Sequence, residues 1–162
     1  MVHKILIFKL LFIVCVLFSS SNIYSQEVIQ GKVNIIDGDT IHIGNNKIRL
    51  HGIDAPEINQ ICTINGADWE CGKESKFYLE NLIDLNNVIC KVNDIDKYKR
   101  YVAICFVNNI NINKKMVQSG WAIAYRYYSS DYINEENKAK KNNLGIWEGE
   151  FEEPYLFRKK NK

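Results

Sequence analysis

The sequence predicts an α+β domain, with five short strands and three short helices, a plan compatible with a small Greek-key barrel. Three observations carry that prediction. Between residues 28 and 50, apolar side chains fall at alternating places, as Val33/Ile35 and Ile41/Ile43 do, and turns of Gly, Asp and Asn punctuate them. Residues 73–85 switch to helical spacing, with Tyr78, Leu82 and Leu85 at i, i+4 and i+7. Two more strand-like runs, 87–93 and 100–107, flank a polar turn near Lys97-Tyr98. Periodicity alone does not choose a barrel over another small sheet.

Taken in order, 28–36 and 40–43 read as strands joined at Asp37-Gly38-Asp39, where Gly38 is free to take positive φ. Gly44-Asn45-Asn46 turns the chain into a third strand, 47–50, and Pro56 ends that segment for want of an amide hydrogen. Residues 58–72 read as a tethered loop holding Gly66, Gly72 and two cysteines. After the helix at 73–85 and the second strand pair, Asn113 caps a short helix at 114–119, which Gly120 stops. Ser129-Ser130-Asp131 opens a third helix to about Asn143, ended by Gly145. The aromatic and basic tail, 151–162, either packs back or stays loose. One domain, 26–150, accounts for the rest, as 162 residues allow.

The first twenty-five residues carry His3 and Lys4, an apolar run at 10–18, then Ser19-Ser20-Ser21 and Ser25. This pattern predicts a secretory signal peptide cleaved near Ser25/Gln26, with an uncleaved anchor as the alternative. Lys9 interrupts the run, which falls short of the ~20 apolar residues of a membrane span. Cleavage removes Lys4 and Lys9 and leaves nineteen bases against nineteen acids. Bulk positive charge is thereby excluded as a source of nucleic-acid affinity, and only a local patch can supply it. Cys62, Cys71, Cys90 and Cys105 remain, an even number that predicts two disulfides in an exported chain. A hairpin about Lys97-Tyr98 sets Cys90 opposite Cys105, within disulfide reach; Cys62 and Cys71 then close a short loop. Without Cys-x-x-Cys spacing, a zinc site is the poorer reading.

Chemistry concentrates between Asp37 and Glu57. Asp39, Asp54 and Glu57 gather around Arg49, and Arg100 follows in Asp96-Lys97-Tyr98-Lys99-Arg100. Carboxylates at strand ends suit a hard cation such as Ca²⁺, and arginines beside it suit a phosphate. Metal, two arginines and a spare carboxylate together point to phosphodiester hydrolysis. His42 and His51 lack partners at ligand spacing, and no Gly-x-Ser-x-Gly occurs, so both read as structural and a serine hydrolase is disfavoured.

Asp37-Gly38-Asp39-Thr40, Arg49 with Asp54-Ala55-Pro56-Glu57, and Asp96 to Arg100 together resemble the staphylococcal nuclease (thermonuclease) family, in order and at similar spacing. Gly120-Trp121-Ala122, Tyr125 and Leu144-Gly145-Ile146-Trp147 extend the likeness over roughly 28–150. The resemblance implies a five-stranded OB-fold barrel with three helices. It also implies a Ca²⁺ ion on Asp39, Asp54 and the Ala55 carbonyl, with Glu57 as general base and Arg49 and Arg100 as phosphate ligands. Lys97, Tyr98, Tyr125 and Tyr127 match substrate-contacting positions. Lys99 departs from the pattern, which has glycine before the second arginine. The expected protein is a secreted or periplasmic monomer acting on DNA and RNA, with 3′-phosphate products and no obligate protein partner. The alternative is a noncatalytic OB-fold module binding single strands or a protein, which would not need all five charged site residues.

Overall fold

The computed structural model describes residues 26–161; the expected signal segment lies outside them. Its strands are β1 (Val28–Gly31), β2 (Val33–Ile35), β3 (Thr40–Ile43), β4 (Asn46–Leu50), β5 (Ile53–Asp54), β6 (Cys62–Ile64), β7 (Ala67–Trp69), β8 (Val88–Ile95), β9 (Tyr101–Val107), β10 (Ile110–Asn111) and β11 (Ile123–Ala124). The helices are α1 (Cys71–Ile83), α2 (Ile112–Gln118), α3 (Ile133–Lys141) and α4 (Pro154–Lys160), with a 3₁₀ turn at Gly145–Glu148. The main sheet runs β1-β8-β9-β4-β3-β2, and β10 pairs with β9. Every pairing in it is antiparallel except β4 with β9.

The first predicted strand is in fact two. It breaks at Lys32, so that β1 pairs with β8 at one edge of the sheet while β2 pairs with β3 at the other. One short segment thus joins both edges and curls the sheet into a nearly closed barrel, the OB-type architecture expected. Inward-facing Ile41, Ile48, Leu50, Val88 and Ala103 fill the interior, and α1 and α2 seal it with Leu79, Ile112 and Met116. Each large aliphatic side chain so buried stabilises the fold by about 1.5–3 kcal/mol.

Several local expectations need correction. Residues 58–72 are not all loop. Asn65 and Gly66 both have positive φ (53° and 80°), and the tight turn they make joins β6 to β7. Gly38 does not need positive φ; it needs to lack a side chain, since a Cβ there would lie 2.0 Å from Ser75 Oγ and 2.7 Å from the Ala55 Cβ. The cap of α2 is Asn111, whose side chain accepts from the Lys114 amide. Asn113 is instead fully buried: it accepts from the Cys105 amide and donates to the carbonyls of His51 and Ala103, tying α2 to the barrel. The tail packs back, as a fourth helix with Pro154 at its first turn.

Cys90 and Cys105 are directly opposed in β8–β9 and form a disulfide; Cys62–Cys71 is the second. The hairpin register holds to Val92↔Ala103, then shifts by one at a bulge before Asp94↔Val102. Among the described residues no helix is long and apolar enough to cross a membrane.

Candidate active site

Local pairing assembles the site's floor. Thr40 opposes Arg49 across β3–β4, so Asp39, one residue before β3, lies beside the arginine's base. The sharp return through Gly52 brings β5 and Asp54 to the other side. Arg49 then forks between two carboxylates, Nη1 to Asp39 Oδ1 at 2.5 Å and Nη2 to Asp54 Oδ1 at 2.7 Å. Asp39 also accepts from Thr40 Oγ1 and from the Ala55 amide, both at 2.9 Å. Asp39 and Asp54 are buried, at 2% and 0% exposure. Burial, then the charge of Asp39, raise the Asp54 carboxyl above its ordinary range despite Arg49. Asp37, outside the ligand set, accepts from the Asp39 amide at 3.0 Å; burial and the Asp39 charge raise it to about 7. Burial alone would lower Arg49, but its two aspartates outweigh that and hold it above its usual value.

Glu57 follows on a loop set by two contacts. Its amide donates to Gln60 Oε1 at 3.3 Å, and the buried Gln60 passes the link on to the Glu152 carbonyl at 2.7 Å. Gly72, in α1, packs directly against the Glu57 backbone; a Cβ there would sit 1.7 Å from the Glu57 carbonyl oxygen.

Above this floor opens a cleft of about 1180 Å³, with Arg49, Glu57, Arg100, Lys97, Tyr98 and Tyr125 on its walls. Arg100 faces it from the β8–β9 turn, where Nε and Nη2 hold Asp96 Oδ2 at 2.8 and 2.7 Å, not the floor carboxylates. Its guanidinium lies over the Tyr98 ring, 5.5 Å from the centroid. Lys99 takes φ +61°, a left-handed conformation that glycine adopts freely, so the turn holds a lysine at a strain cost. Tyr127 does not line the cleft. It is 81% exposed and stacks on Tyr125, while Tyr128 lines the wall instead. His51 is at the rim, its Nε2 3.2 Å from Asp131 Oδ2, and His42 lies within β3 opposite Lys47.

Sequence reasoning missed three contributors. Glu136, buried in α3, accepts from the Ala124 amide at 3.2 Å and so fixes β11, whose Ile123 pairs with Asp54. Gln60 anchors the Glu57 loop. Arg158, in the tail, reaches Asp54 Oδ1 and Glu57 Oε1 with Nη1, both at 2.8 Å. The tail's basic run was visible, but nothing in the order of residues says where a segment a hundred positions downstream will dock.

The donor set suits a hard cation. Buried Asp39 and Asp54 supply carboxylate oxygens side by side on one guanidinium, and the backbone oxygen of Ala55 is next in line. Four carboxylates, Asp37, Asp39, Asp54 and Glu57, face Arg49 and Arg158, a balance a divalent ion would neutralise. Among the described residues no three His, Cys, Asp or Glu side chains converge at ligand geometry; the expected set requires only two, with a carbonyl and water.

The family profile described as Staphylococcal nuclease homologue matches residues 47–149. The chain is similar to an uncharacterized endonuclease of Haemophilus influenzae, 35% identical over 152 residues, which span 90% of this chain and 79% of that protein. It is 30% identical over 148 residues to micrococcal nuclease of Shigella flexneri, with 80% of each chain covered. It is also 35% identical over 127 residues to succinoglycan biosynthesis protein ExoI of Rhizobium meliloti, spanning 76% of this chain and 66% of that one.

Proposed function

The chain belongs to the family of staphylococcal nuclease homologues, and on that footing we propose that it is an exported Ca²⁺-dependent, sugar-nonspecific nuclease. Its substrates are DNA and RNA, and its products end in 3′-phosphate. The observation that carries the reading is Arg49, forked between buried Asp39 and Asp54 beneath a cleft walled by Glu57 and Arg100.

The chain's own groups divide the work. Asp39, Asp54 and the Ala55 carbonyl would hold the ion, which when bound supplies Lewis-acid polarisation of the phosphate. Glu57, held by Gln60, orients a water for in-line attack on phosphorus and accepts its proton. Arg49 and Arg100 donate to the non-bridging oxygens as charge builds on them, Arg100 turning from Asp96 to do so. Lys97 pairs with a neighbouring phosphate. Tyr98 and Tyr125 offer stacking faces for bases, worth roughly 1–3 kcal/mol each, and Tyr127 and Tyr128 extend that platform outward. None of these contacts reads a base edge, hence no sequence preference. Two disulfides fit an oxidising compartment and support export.

The test is digestion of heat-denatured DNA, duplex DNA and RNA in millimolar Ca²⁺ and in chelator, beside Glu57→Ser and Arg100→Ala. Cleavage that needs the ion and falls by about 10²–10³ in each variant is expected. A folded protein that binds single strands and never cuts them would overturn the reading.

A further inference from the structure

The C-terminal helix reaches the same two carboxylates that the proposed cation needs. Arg158 Nη1 bridges Asp54 Oδ1 and Glu57 Oε1 at 2.8 Å each, and its Nη2 lies 3.2 Å from Asp54 Oδ2. Asp54 Oδ1 accepts from Arg49 and lies in ion-pair contact with Arg158, and Oδ2 accepts from Arg158 Nη2, so both carboxylate oxygens face guanidinium groups. Calcium binds such oxygens at about 2.3–2.6 Å. A dication so placed would sit within a few ångströms of the Arg158 charge and compete for the same lone pairs.

How α4 is fastened points the same way. Pro154 is buried and Phe157 half-buried, while Tyr155 and Leu156 are 48% and 43% exposed. Apolar contact from Pro154 and Phe157 is modest, and ion pairs add to it, Arg158 onto the floor and the exposed Lys160 onto Glu152 at 2.5 Å. The segment just upstream is fixed independently. Thr63 and Glu150 exchange backbone hydrogen bonds at 2.9 and 2.8 Å, and Gln60 holds the Glu152 carbonyl. The Glu153–Pro154 junction thus separates an anchored strap from a helix that the Arg158 ion pairs help to hold.

We propose that α4 is a latch: Arg158 serves as an internal cation on Asp54 and Glu57, and the divalent ion and the docked helix bind the site in mutual exclusion. The proposal rests on the cation reading above and adds the tail as its competitor. Reciprocity follows from linkage. Whatever factor the latch subtracts from ion affinity, the ion subtracts from latch closure.

The experiment is calorimetric titration of the purified, disulfide-intact protein with Ca²⁺ alone, with hydrogen exchange of residues 154–160 at zero and saturating Ca²⁺. Arg158→Gln should tighten Ca²⁺ binding about tenfold, within the range usual for coupled sites. Lys159→Gln, which deletes the same charge one residue away, should change it far less. In the unsubstituted protein Ca²⁺ should speed exchange across 154–160. Arg158→Lys, which keeps a cation without the fork, should fall between. Unchanged or weaker Ca²⁺ binding in Arg158→Gln, with the Glu57→Ser nuclease test still positive, overturns the latch and leaves the function standing. No Ca²⁺ binding by any of these proteins overturns both.

Discussion

Glu136 offers the sharpest test of how the fold supports the floor of the site. Its carboxylate is 1% exposed and meets the Ala124 amide, both terminal nitrogens of Arg126 and Lys140 Nζ. Glu136→Gln keeps the shape and deletes the charge. The amide can still accept from Ala124, so the loss falls on the two cationic partners. Charge-assisted bonds contribute about 1.5–3 kcal/mol when buried, but Arg126 and Lys140 are 48% and 44% exposed, which discounts each toward the surface value. The expected loss is about 2 kcal/mol at pH 7, roughly 6 °C in Tm for a domain of this size. Burial pulls the Glu136 pKa up, but the bonds from Arg126 and Lys140 prevail and hold it below its ordinary 4.5. A depressed carboxylate contributes stability that is complete above its ordinary pKa and disappears as pH falls through the folded value. The gap between the two proteins should therefore be full at pH 7 and narrow steadily below about pH 4.5. Urea denaturation across pH 3–8 measures it. A gap equally wide at pH 3 and pH 7 would refute the electrostatic argument and leave a packing defect in its place. Because glutamine keeps the bond from the Ala124 amide that fixes β11 beside β5, Ca²⁺ binding by the same variant should change little.

Other outcomes follow from single contacts. Lys99→Gly relieves a left-handed φ and should stabilise the protein by about 0.5–1 kcal/mol in thermal denaturation, the gain being trimmed by glycine's freedom in the unfolded chain. Replacing Cys90 and Cys105 together by serine releases a crosslink fifteen residues apart and should cost about 3 kcal/mol by chemical denaturation. Arg49→Lys keeps the charge but cannot fork between Asp39 and Asp54, so kcat on denatured DNA should fall by about 10² or more while the fold survives by circular dichroism.

What the sequence made legible was whatever short-range pairing decides. Asp39, Arg49, Asp54 and Glu57 lie within nineteen residues, joined by tight turns, so recognising the turns nearly amounts to placing the residues. The Cys90–Cys105 pair followed from a hairpin centred between Lys97 and Tyr98; the turn itself is centred on Tyr98, with Ile95 opposite Tyr101, and the bulge between Val92 and Asp94 restores the register that sets the cysteines opposite one another. The Asn65-Gly66 turn was passed over although its dipeptide is a strong hairpin signal, because β6 and β7, three residues each, are too short for alternation to register. Gly38 was assigned to the wrong cause: its constraint comes from Ser75 on a helix far along the chain, which no turn statistic contains. Asn113 misled in the same way, an amide at a plausible cap that the core had claimed. Arg158 and Glu136 were invisible for a common reason. Each does its work through partners chosen by tertiary docking, and their own neighbourhoods in sequence look like ordinary charged surface.

The charge distribution explains how a near-neutral chain could address a polyanion on the proposed reading. Affinity has to come from the rim, where Lys97, Arg100 and Lys159 face the cleft, because the floor is acidic and would repel a phosphate. Arg49 cannot reverse that alone, since both its terminal nitrogens are committed to Asp39 and Asp54. Nor can Arg158 while it is docked, with its nitrogens on Asp54 and Glu57. A divalent ion on the two aspartates changes both conditions at once. It would offset the floor's negative charge, and by taking over the carboxylates it would loosen the arginines that held them. On that reading the ion would remove the repulsion that the floor presents to a phosphate, so substrate binding, and not only bond cleavage, should depend on it.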